Sequence, residues 1–153
     1  MKIYRIADND YDPSWDYDID PRPIREIKRL VDSILVYTKP LQDALGFKSV
    51  NVAYIVGDVS GSLARYISGT TDNPHFVLST RRLLYFARKY ENNLGVAVET
   101  TLVHEFGHAY LEMCGANQSE EVVEDFAYYY SLDRDIASSK QILDDYVTED
   151  DYG

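Results

Sequence analysis

The sequence predicts an α+β fold, and three observations carry that expectation. A stretch of helical apolar spacing comes first, a group of short strand-patterned runs follows, and longer helical segments complete the chain. Strands grouped between helices, rather than alternating with them, favour α+β over a parallel α/β arrangement. At 153 residues the chain has the length of one domain and enough material for a buried core.

Residues 1–20 read as an acidic arm. Within it, DNDYDPSWDYDID (8–20) carries six aspartates around Tyr11, Trp15 and Tyr17, too polar for an element of its own. It suits a solvated arm pinned by its aromatics, or a segment that binds a basic partner. A single domain is expected over 21–147. After Asp20 and Pro21, apolar residues at Ile24, Ile27, Leu30, Val31, Ile34 and Leu35 have the spacing of one helix face, with an N-cap in front. Pro40 to Leu45 adds a short helical turn that Gly46 stops.

VNVAYIV (50–56) alternates, placing Val50, Val52, Tyr54 and Val56 on one face of a strand. SLARYIS (62–68) and HFVLS (75–79) are shorter strands, joined by the loop GTTDNP (69–74). Ser79 and Thr80 offer caps for a helix over 81–90, which Asn92 and Asn93 break. A helix from about Gly95 to Cys114 follows, with Gly115 as its left-handed C′ residue. The turn ANQS leads into a helix over 120–132, a last helix covers 136–146, and 148–153 reads as an acidic, frayed tail.

The formal net charge of −11 and the pI near 4.6 argue against a nucleic-acid partner and against anionic membrane surfaces. No run has the length of a signal peptide or a membrane span. Cys114 is the only cysteine, so no intrachain disulfide forms, and a cytoplasmic protein is expected.

The chemistry concentrates in LVHEFGHAY (102–110), which holds two of the three histidines. Four residues apart on a helix, His104 and His108 aim both imidazoles at one point, as two zinc ligands require. Glu105, one position round, reaches a water on such an ion without ligating it; this is the HExxH geometry of zinc hydrolases. Leu102, Val103, Phe106, Ala109 and Tyr110 are uncharged, as befits a helix buried beneath a cleft. Gly107 costs about 1 kcal/mol against alanine inside a helix, a cost that close backbone packing beside the metal explains.

Catalytic zinc takes three protein ligands and keeps a fourth position for water. His75 lies in an expected strand, and Cys114 is about 9 Å further along the same helix, so the third ligand is sought among Glu120, Glu121, Glu124 and Asp125. An antiparallel hairpin centred near Ala116 sets Glu124 opposite His108. With Ser119 as N-cap, Glu120 and Glu121 are also simply favourable first-turn acids.

HEFGHA followed by E-x-x-x-E/D-x-F-A resembles the gluzincin metallopeptidases, the clan of thermolysin-like enzymes and the anthrax lethal factor protease domain. The resemblance covers Leu102 to Ala127. It implies a minimal zincin-like fold: a small mixed sheet packed on the HExxH helix and a following glutamate-bearing helix. It implies Zn2+ held by His104, His108 and Glu120, with Glu124 behind a zinc histidine, Phe126 and Ala127 as a packing pair, and Glu105 as general base. The interval from His108 to Glu120 is 12 residues, shorter than these families usually show; Glu124, or Glu121 backed by Asp125, are the alternative ligands.

Tyr110, Tyr128, Tyr129 and Tyr130 are candidates for stabilising an oxyanion. Either HFVLS or LARYIS could serve as the edge strand that such enzymes pair with an extended peptide. The expected function is a zinc-dependent peptidase acting on a peptide or protein substrate. The alternatives are a zinc-binding protein without turnover and an interaction module whose acidic arms bind a basic partner.

Overall fold

The computed structural model of the protein describes residues 21–55, 64–70, 72–80, 83–84 and 93–152. Two helices open it, α1 (Pro21–Tyr37) and α2 (Lys39–Ala44). Strands β1 (Asn51–Ile55), β2 (Ala64–Thr70) and β3 (Asn73–Ser79) follow, and helices α3 (Leu94–Met113), α4 (Glu120–Asp133) and α5 (Ile136–Tyr152) complete the chain. The architecture is α+β, as expected. The arm over 1–20 and most of the expected helix over 81–90 lie outside the described residues; Leu83 and Leu84 are helical and Leu83 is buried.

The sheet has the order β1-β3-β2. β1 runs parallel to β3, with Asn51 opposite His75 and Tyr54 opposite Leu78, while β2 runs antiparallel to β3, with Tyr66 opposite Phe76. The sheet is therefore small and mixed. HFVLS is its central strand, which removes it as a candidate edge. Its burial explains the placement: Phe76 through Ser79 are all buried, the pattern of a strand covered on both faces. β2 and β3 extend two residues further into GTTDNP than the sequence suggested, pairing Thr70 with Asn73 across an irregular register. Composition marks that stretch as loop, but backbone pairing needs no apolar side chains.

The periodic residues of α1 form the base of the core, with Ile27, Val31 and Ile34 buried. Val52 and Tyr54 come from one face of β1, as the alternation predicts. Phe106 of α3 sits at the centre, its ring 5.9 Å from Phe47 and 5.6 Å from Phe76. α3 is buried around most of its girth, including Leu102, Val103, Glu105, Phe106, Gly107 and Ala109. No helix among the described residues is long and apolar enough to cross a membrane. The last helix runs on to Tyr152, so residues 148–152 continue α5 instead of leaving it.

Candidate metal centre

Local signals define the helix that carries HEFGH. The Asn93 side chain accepts a hydrogen bond from the Gly95 N–H at 2.7 Å, so the asparagine pair that ends the preceding segment also caps α3. At the other end Gly115 takes φ 71°, and the Gly115 and Ala116 amides bond to the carbonyls of Glu112 and Leu111 at 3.0 Å each. That is a Schellman stop, with glycine where the left-handed backbone requires it. Ser119 caps α4, accepting from the Val122 amide at 3.3 Å.

Between these caps the chain turns back tightly. Gln118 Nε2 donates to the main-chain oxygen of His108 at 2.9 Å, and Gln118 Oε1 lies 2.7 Å from His108 Nδ1. Residue 118 has thus already returned to the level of residue 108. Glu120, two residues on, arrives beside the histidines, whereas a hairpin symmetric about Ala116 would have brought Glu124 there.

The side chains converge as follows. His104 Nε2 and His108 Nε2 are 3.1 Å apart, with ring centroids 4.9 Å apart. One oxygen of Glu120 lies 3.1 Å from His104 Nε2 and the other 2.8 Å from His108 Nε2. Glu105 joins the two histidines from the α3 side, and His104, Glu105 and His108 form a compact group with ligand atoms within 4.8 Å of one another. Glu105 is buried, and the imidazoles are 23% and 13% exposed against 68% for Glu120, so the cluster opens to solvent on the α4 side.

Burial, together with the neighbouring His108, pushes the His104 pKa below its ordinary value, against the opposing pull of Glu120 and Glu124. That direction favours the neutral imidazole, the state that offers a lone pair. Glu124 acts on His104 through its charge, from the same stripe of α4 as Glu120.

Gly107 explains how α4 comes so close. A Cβ there would stand 3.0 Å from Val123 Cγ1 and 3.1 Å from Phe126 Cδ2, so glycine lets the two helices nearly touch. The expected close packing at Gly107 is present, and its neighbour is the glutamate-bearing helix. Phe126 and Ala127 are buried, as their packing role requires.

Other candidates lie elsewhere. Glu121 and Asp125 are exposed, on other stripes of α4. His75 is exposed on β3, between Asn51 and Ile67, and Cys114 is exposed at the end of α3. The Tyr110 hydroxyl donates to Asp144 of α5 at 2.5 Å, and burial with that bond raises its pKa. Tyr130 is buried with its ring 5.2 Å from the Arg134 guanidinium; Tyr128 is exposed and Tyr129 half-buried. Gln118 escaped sequence reasoning, since a glutamine in a polar turn carries no signal of what it folds onto.

No family model, curated protein or solved structure matches the chain.

Proposed function

We propose that the chain is a zinc-binding protein of the HExxH type, with His104, His108 and Glu120 as ligands, and that it acts as a peptidase. One observation carries the reading, the mutual spacing of three electron-pair donors. Ligands about 2.0–2.1 Å from one tetrahedral ion stand about 3.3 Å from one another; here the two Nε2 atoms are 3.1 Å apart, and the two oxygens of Glu120 stand 3.1 Å from one and 2.8 Å from the other. A single proton relieves one such pair, whereas a cation serves all three.

Zinc bound there supplies Lewis acidity, acidifying a water molecule and polarising a substrate carbonyl. The chain supplies the base and the cradle. Glu105, buried beside the two imidazoles, takes the proton of the attacking water and returns it to the departing nitrogen. β2 is at one edge of the described sheet, antiparallel to β3 and against α3. An extended peptide laid along it would add a strand beside the metal helix. A single cysteine suits a reducing compartment, and a cytoplasmic location belongs to this reading.

A second reading, a zinc site without turnover, draws on the tyrosines. Tyr110 is committed to Asp144 and Tyr130 to Arg134, which takes two of the four phenols away from an oxyanion. Zinc content and peptide-library cleavage, measured on the parent and on Glu105→Gln, decide between the two. The substitution is expected to keep zinc and to lower turnover by at least about a hundredfold. Unchanged cleavage would remove Glu105 as the base, and a zinc-loaded parent that cleaves nothing would select the second reading.

A further inference from the structure

We propose that Gln118 is a positioning residue that sets the tautomer of His108 and so aims its Nε2 lone pair at the metal. The inference rests on the metal-binding half of the reading above and is independent of the peptidase half. Gln118 lies in the turn between α3 and α4, and its amide makes both of its described hydrogen bonds to a single residue, His108.

A glutamine amide can ordinarily be turned over, exchanging its oxygen and nitrogen. Here the His108 main-chain oxygen decides the matter, because a carbonyl only accepts. The NH2 group must face it, at 2.9 Å, and Oε1 must then face the ring, at 2.7 Å from Nδ1. Oε1 has no hydrogen to give, so the hydrogen in that contact belongs to Nδ1. A neutral imidazole with its hydrogen on Nδ1 keeps its lone pair on Nε2. Nε2 is the atom that stands 2.8 Å from Glu120 and 3.1 Å from His104 Nε2, where a bound cation would replace the hydrogen that the Glu120 carboxylate otherwise draws toward Nε2. The orientation thus passes from backbone to amide to ring, and the residue that supplies the ligand also supplies the anchor.

The two bonds have separable jobs, since Oε1 holds the ring and Nε2 ties down the turn. Gln118→Met matches the side chain in size and removes both. Gln118→Glu restores an acceptor for Nδ1 but cannot donate to the carbonyl. A support that works through the ring is rescued by glutamate; one that works through the turn is not.

The test combines two readouts on the full chain. Long-range 1H–15N NMR of the metal-free full chain carrying Glu120→Ala, which removes the competing acceptor from Nε2, reads the His108 tautomer directly above the titration range of histidine. In that background the chain with Gln118 is expected to carry the hydrogen on Nδ1, and addition of Gln118→Met to shift it toward the Nε2–H form that free histidine favours. Zinc affinity by chelator competition is expected to fall about 10- to 100-fold in Gln118→Met and to stay within a few-fold of the parent in Gln118→Glu. An Nε2–H tautomer in Glu120→Ala with Gln118 intact would overturn the proposal. So would equal zinc affinity in the parent and Gln118→Met, an equal loss in both variants, or loss of helical circular dichroism in Gln118→Met, which would make Gln118 a fold residue. Should the parent take up no zinc, the metal reading fails and Gln118 has no ligand to position. An NMR result of Nδ1–H would then still show the ring held as described.

Discussion

Helix α3 carries two clusters of titratable side chains that are built from similar parts and balanced in opposite ways. Near its start, Glu99 is buried and receives the Tyr37 hydroxyl from α1 and, at 2.6 Å, the Arg134 guanidinium from the end of α4. That guanidinium lies over the rings of Tyr37 and Tyr130, at 5.6 and 5.2 Å. One carboxylate, one cation and one phenol close on themselves. Two turns further along, His104, His108 and Glu120 bring lone pairs together around a carboxylate. Among the described residues no lysine or arginine joins them, and burial holds His104 toward its neutral form. The first cluster is complete as a structural clamp between α1, α3 and α4. The second brings its donor atoms together with no such cation among the described residues.

The comparison is broken most directly by removing a ligand. If structural zinc is held by about 10–16 kcal/mol shared among four ligands, each is worth about 3 kcal/mol, roughly a hundredfold in affinity. His108→Ala and Glu120→Ala are each expected to weaken zinc by about that factor in chelator competition. Glu124→Ala should cost less than about tenfold on the proposed assignment, because the effect of Glu124 on His104 is through its charge. A larger loss from Glu124→Ala than from Glu120→Ala would move the ligand assignment to Glu124.

The clamp should respond in stability and not in metal binding. Arg134→Ala leaves the buried Glu99 carboxylate without its cation. Breaking a buried pair costs about 3–5 kcal/mol; the guanidinium is half-exposed, so about 2 kcal/mol is expected by urea unfolding, with zinc affinity unchanged. A zinc affinity that fell with Arg134→Ala would mean that the two clusters are coupled.

Gly107→Ala tests the spacing between α3 and α4. Overpacking against Val123 and Phe126 costs about 1–3 kcal/mol, offset by about 1 kcal/mol of helix propensity, for a net loss near 1 kcal/mol. The added methyl should also move Glu120 outward and weaken zinc, whereas a stabilised variant with full affinity would show that the helices have room to spare.

The smallest effect is one of pH. The folded His104 pKa is lowered, chiefly by burial, so in acid the unfolded chain takes up more protons at this residue than the folded one. Its contribution to the stability of the metal-free protein is complete above about pH 6.5 and is lost as pH falls toward the folded value. Thermal melts across that window should shift downward with acid, and less so in His104→Gln.

What was legible in the sequence follows the range of each signal. The pair His104 and His108, with Glu105 between them, is fixed by helical periodicity alone. The strands and their alternation were equally local. Glu120 was reachable through its place in a motif but not through hairpin symmetry, because the turn folds back along α3 through side-chain bonds that no pattern announces. Gln118 and the Glu99–Arg134 pair were invisible for the same reason: each joins residues distant in sequence whose meeting depends on how helices end. The central position of β3 was likewise hidden, since a run of buried residues says that a strand is covered, not which strands flank it.

The most direct test of the central claim is the zinc content of tag-free protein purified without chelators, read by inductively coupled plasma mass spectrometry on the parent and on Glu120→Ala. The account predicts one zinc per chain in the parent and a large loss in the variant. A parent that contains far less than one zinc, and takes up none when the ion is added back, would reduce HEFGH to two histidines and a glutamate meeting on an ordinary pair of helices.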